Sequence, residues 1–138
     1  MRYVPCWKTI GIEKERYLEL LNFCRQYPKW KIEASSLLGI RAIKADGQPH
    51  GTGTSDPVAR AAAKRERLLA KIHLVDSCAR AVGGGEWYAV IIQNACIGES
   101  YEKIDKALMP TSRSNSFFKM RREFFRILDE QKEIFDGA

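Results

Sequence analysis

Histidine is scarce in this chain, and neither His50 nor His73 stands at ligand spacing from Cys6, Cys24, Cys78 or Cys96. No Cys-x-x-Cys pair occurs either, so no metal site is expected. Long apolar runs are missing as well. None approaches the roughly 20 residues that span a bilayer, and no membrane anchor is predicted. The opening Met-Arg-Tyr-Val-Pro-Cys-Trp-Lys has neither the apolar stretch nor the small-residue cleavage site of a secretory signal, which predicts a cytoplasmic protein. In that compartment Cys24, Cys78 and Cys96, set in helix-like apolar patterns, read as reduced, buried thiols. The Gly- and Thr-rich stretch at 46–56 lacks both the Gly-x-x-x-x-Gly-Lys-Ser/Thr and the Gly-x-Gly-x-x-Gly spacing that cradle phosphate. With no paired carboxylates in an apolar setting and no nucleophile motif, neither an enzyme nor a cofactor is expected.

What is present is helical pattern. The chain is 45% apolar and 29% charged, as an ordinary globular protein is. From about residue 12 to 26 neither Gly nor Pro intervenes, and Tyr17, Leu21 and Cys24, with Leu18 and Leu20 beside them, recur at helical spacing. Pro28 opens a second amphipathic segment with Trp30, Ala34, Leu37 and Leu38 on its apolar side and an end near Gly39. Residues 44–56 predict a mobile loop leading into a helix capped by Ser55 or Asp56, with Pro57 at its first position. Leu68, Ile72, Val75, Ala79 and Val82 then alternate steps of four and three, a heptad seam that needs a partner helix from this chain or from another subunit. Gly83, Gly84 and Gly85 break that helix and mark a domain boundary. Three further helices are expected, at 86–95, at 99–108 and from 112 to about 135, the last two joined by the short segment 109–112. The predicted fold class is all-α. An N-terminal helical hairpin or coiled-coil-like module, for scaffolding or oligomerisation, occupies 1–82, and a three-helix helix-turn-helix domain occupies 86–138.

A formal charge of +6 permits nucleic-acid binding, and its distribution is more telling than its sum. Residues 57–82 hold Arg60, Lys64, Arg65, Arg67, Lys71 and Arg80 against Glu66 and Asp76, while residues 111–128 hold five cations against Glu123 alone. On a helix turning about 100° per residue, Asn115, Lys119, Arg122 and Arg126 fall in one narrow sector, and Phe117, Met120, Phe124, Ile127 and Leu128 lie opposite. One face suits a core and the other an anion. Behind a tight turn, such a helix matches the reading helix of a helix-turn-helix. A cap at Ser112 or Ser114 leaves first-turn amides for a phosphate, while Asn115 can pair bidentately with adenine and Arg113 with guanine. Base reading is therefore expected from Arg113, Ser114, Asn115 and Ser116, and phosphate binding from Ser112, Lys119, Arg122 and Arg126. Arg60, Lys64, Arg65 and Arg67 form an additional basic surface. Arg121 falls toward the apolar side. Phe118 and Phe125 flank the stripe, and as an aromatic pair they read as packing on the preceding helix rather than as base stacking. The plainer alternative is a basic amphipathic helix inside an all-α core.

The run Gly98-Glu99-Ser100-Tyr101-Glu102-Lys103-Ile104, followed after the turn by a basic helix, resembles the helix-turn-helix of sigma-factor region four. The larger chain resembles small phage-encoded late-gene transcriptional regulators of the RinA and ArpU type. Two segments carry that likeness. One is Asp46-Gly47-Gln48-Pro49-His50-Gly51-Thr52-Gly53-Thr54-Ser55-Asp56-Pro57 with Ala59-Arg60; the other is Ser114-Asn115-Ser116-Phe117-Phe118-Lys119 with Arg121-Arg122 and Phe124-Phe125. It departs from the pattern at Ser114, which intervenes between Arg113 and Asn115. The resemblance implies a phage or prophage activator in a bacterial cytoplasm, with double-stranded promoter DNA as partner and host RNA polymerase as a second; a homo-oligomer would favour half-sites about one helical turn apart. Two other readings stand beside it: a helix-turn-helix protein of a mobile element that binds another protein as inhibitor or assembly factor, and a DNA-packaging recognition subunit.

Overall fold

The computed structural model describes residues 4–44 and 56–138. The protein is all-α, with no strand among the described residues, and none of their helices is long and apolar enough to cross a membrane. Contacts divide the chain into two units, Tyr27–His73 on the one hand and Met1–Gln26 with Leu74–Ala138 on the other.

In the unit Tyr27–His73, α3 (Tyr27–Lys44) runs antiparallel to the first part of α4 (Pro57–Arg80). Lys71 stands over the Trp30 ring, while one turn further along α3 Lys64 pairs with Glu33 at 2.7 Å and Arg65 Nε donates to the Ala34 carbonyl at 3.2 Å, so later turns of α3 meet earlier turns of α4. Trp30 and Ala34 are buried as their spacing predicts. The expected end at Gly39 is corrected: α3 passes through it, because a lone glycine costs a helix only about 1 kcal/mol and the residues that follow are compatible with helix. Asp56 caps α4, its Oδ1 accepting from the Val58 N–H at 2.9 Å. Ser55 and the rest of the expected mobile loop at 45–55 lie outside the described residues.

The seam on α4 is buried within this one chain. Leu68, Ile72, Val75, Ala79 and Val82 are each less than a tenth exposed.

In the second unit, α1 (Cys6–Thr9) closes on Gly11, whose φ of +78° lets its N–H reach Lys8 O while the Ile12 N–H reaches Trp7 O. α2 (Lys14–Arg25) buries Leu20 and Cys24 and leaves Leu18 exposed. Gly83, Gly84 and Gly85 all adopt positive φ and break α4 as expected, but they do not form a linker. A Cβ at Gly83 would stand 3.3 Å from Met120 Sδ and 3.5 Å from the Trp87 ring, so the turn is packed against the last helix. α2 and the residues after these glycines belong to one unit.

Short α5 (Tyr88–Ile91) widens into a π-helical stretch, Ile92–Ile97, ended by Gly98 at φ +91°. Arg25 Nε donates to Ala95 O at 3.0 Å and so satisfies a carbonyl near that irregular end. The final helix, α6 (Ser114–Gly137), buries Phe117, Phe124, Phe125 and Leu128 completely. Tyr17 of α2 meets Phe125 with centroids 5.1 Å apart, and Arg16 Nε donates to Asp129 Oδ1 at 2.7 Å.

Replacing Phe124 by Ala should destabilise the protein by about 3–5 kcal/mol, read as a lower denaturant midpoint at unchanged slope. All four cysteines are free and buried. Burial pushes the Cys78 thiol up to about 11, and a hydrogen bond with Cys96 followed by burial raises Cys24. Because thiolate is the reactive form, the native protein should show no fast-reacting thiol toward a disulfide reagent and four after unfolding.

Candidate nucleic-acid interface

The segment leading into α6 differs from expectation. Residues 99–108 form two 3-10 turns, Tyr101–Lys103 and Lys106–Leu108, rather than a helix. Three local bonds favour the turns. Asp105 Oδ1 accepts from the Ala107 N–H at 3.0 Å, Lys106 Nζ donates to Tyr101 O at 2.6 Å, and the Tyr101 hydroxyl donates to Ser112 O at 3.2 Å. Ile104 and Met109, each directly after one of the turns, are buried. The helix before α6 is thus the α5/π-helical element, and 98–113 is a long folded connection instead of a tight turn.

At the start of α6 the N-cap is Arg113, in extended conformation and with no side-chain cap. The expected serine cap is therefore corrected: Ser112 lies outside the helix, and Ser114 is its first residue. Arg113, Ser114 and Asn115 are exposed, and Ser116 is half-buried. Exposed Lys119 and half-buried Arg122 follow on the same face. Among the described residues, the side chains of Arg113, Lys119 and Arg122 have no hydrogen bond or ion pair; Arg113 and Asn115 stand at the positive end of the helix dipole, with Lys119 about one turn and Arg122 about two turns further along.

Arg126 is different. Its Nη2 and Nε donate to the two carboxylate oxygens of Glu123 at 2.6 and 3.1 Å, and Nη1 reaches Glu130 at 3.3 Å. Beyond it the solvent face of α6 carries Glu130, Glu133 and Asp136, so the cationic surface ends near Arg122. Arg121 is taken inward: it donates to Asn94 Oδ1 and to the Tyr17 hydroxyl, each at 2.6 Å, and lies over the Phe125 ring. Its place in the apolar sector signals that role. Of the other basic group, Lys64 and Arg65 are bonded within their own unit, while Arg60 and Arg67 are exposed.

Phe118 and Phe125 flank the stripe alike in the sequence, and the fold separates them. Phe125 is fully buried; Phe118 is 43% exposed, with its ring centroid 5.7 Å from that of Tyr101. Lys106 Nζ sits 3.5 Å from the centre of the Tyr101 ring and adds a cation near this end of α6.

Hydrogen bonding from Arg126 holds the Glu123 carboxyl below its ordinary value of 4.5. A depressed carboxyl contributes stability above its unfolded pKa, lost as pH falls through the lower folded value. In an NMR titration, Arg126→Gln should raise the Glu123 midpoint toward 4.5; an unchanged midpoint would mean that Arg126 is unpaired in solution. Compared with known proteins, the chain matches no family model, no curated protein and no solved structure.

Proposed function

We propose that the chain binds double-stranded DNA through the first turns of α6 and, as its resemblance to phage late-gene regulators implies, controls transcription in a phage or prophage, with host RNA polymerase as a further partner. The observation that carries this reading is one side of α6 with Arg113 and exposed Asn115 at its start and Lys119 and Arg122 over the next two turns, the three cations unbonded among the described residues, on a helix whose opposite face is locked in a core. A rigid helix presenting an amide and cations on one side meets both needs of groove recognition: base edges for specificity, phosphates for affinity.

In this reading Asn115 pairs with adenine and Arg113 with guanine, with Ser114 and Ser116 beside them. Lys119 and Arg122 meet phosphates, joined by Lys106. Arg126 joins only if Glu123 and Glu130 release it, and the acidic surface beyond it limits contact to the N-terminal half of the helix. The connection 98–113 takes the place of the first helix of a helix-turn-helix, holding α6 through Tyr101.

Three phosphate contacts correspond to a salt slope of about −2.7 and roughly 40-fold weaker binding at 200 than at 50 mM salt. Arg122→Ala should weaken all duplexes alike and reduce the slope by about 0.9, whereas Asn115→Ala should change which sequence is preferred. Fluorescence anisotropy across a salt series with selected and scrambled duplexes reads both effects. Absence of binding to any duplex at low salt would overturn the proposal and favour a protein partner for this face.

A further inference from the structure

Among the large apolar side chains that stand exposed in the described residues, Phe118 is the one aromatic ring. Its position is specific. It lies three residues after Asn115 and four before Arg122, so its side chain neighbours each of them on the helix surface. Helical side chains lean toward the N-terminus, which carries the Phe118 ring over the turn that holds Ser114 and Asn115. The ring is also braced. Phe117 meets it edge-on with centroids 5.0 Å apart and an interplanar angle of 73°, and Tyr101 lies against it at 5.7 Å and 38°. Tyr101 is in turn fixed by its hydroxyl bond to Ser112 O and by the Lys106 ammonium against its ring. Because the ring is already supported, less side-chain freedom is lost when it meets a ligand.

We propose that Phe118 is a specificity-determining residue that packs against the C5-methyl of a thymine adjacent to the adenine read by Asn115. This rests on the DNA-binding reading and extends it to a particular base. In the major groove only a thymine presents a methyl group, and an apolar side chain beside an adenine-reading amide is the complement to it. The alternative role, packing against the connection to the previous helix, accounts for the tilted contact of the ring with Tyr101 and does not account for the 43% of the residue that stands exposed.

The test removes the methyl and nothing else. In a duplex selected by binding, each thymine is replaced singly by deoxyuridine, and affinity is measured for the wild type, Phe118→Ala and Phe118→Leu, each first shown by thermal unfolding to be folded. At one thymine within about two base pairs of the position whose preference Asn115→Ala alters, the wild type should lose about fourfold, the equivalent of about 0.8 kcal/mol for one methyl. Phe118→Ala should lose nothing there, and Phe118→Leu should keep part of the sensitivity. Duplex binding with no such thymine, or with equal losses for the wild type and Phe118→Ala, would overturn this inference and leave the DNA-binding reading standing. No duplex binding at all would overturn both.

Discussion

Burial of the aromatic face of α6 is the constraint from which the rest of the second unit follows. Phe117, Phe124, Phe125 and Leu128 are all fully buried, and each contributes roughly 1.5–3 kcal/mol by leaving water. An exposed ion pair contributes at most about 1 kcal/mol. The apolar sector therefore decides the rotation of the helix about its axis, and the charged side chains take whatever positions that rotation leaves. Asn115, Lys119 and Arg122 face solvent because the phenylalanines cannot.

The cations of this one helix have separate fates, set by what lies beside each. Arg121 falls among Tyr17, Phe125 and Asn94, where aromatic faces and neutral oxygens hold its charge. Its pairing links α2, the π-helical stretch and α6. Arg126 is engaged by two glutamates one turn away in either direction. What remains is a short cationic face over the first turns of the helix instead of a stripe along its full length, followed by the exposed acidic residues Glu130, Glu133 and Asp136.

The connection 98–113 shows how local bonding overrides periodicity. Tyr101, Ile104 and Leu108 have helical spacing, yet Asp105 offers its carboxylate to a backbone N–H and Lys106 reaches back to a carbonyl, which stabilises tight turns in its place. Ile104 still reaches the core, and Leu108 remains outside. One consequence is the Tyr101 bracket that holds Phe118 at the surface.

Helix content, a cap at Ser55 or Asp56, the break at the glycines and the apolar seam of α4 were legible in the sequence, because each depends on neighbours within about two turns of the chain. The amphipathic character of α6 was legible for the same reason. Which of its cations remain unpaired, and which of its two flanking phenylalanines is covered, was decided only by the tertiary structure. Arg121 and Arg122 are adjacent and chemically identical, and α2 and the π-helical stretch reach one and not the other. The grouping of α2 with the C-terminal helices across Gly83–Gly85 was likewise hidden, since the packing of Met120 against Gly83 joins residues far apart in the chain. The sequence by itself determined that a polar, cationic face would exist; long-range packing determined which residues compose it, because burial and pairing depend on groups that local spacing does not encode.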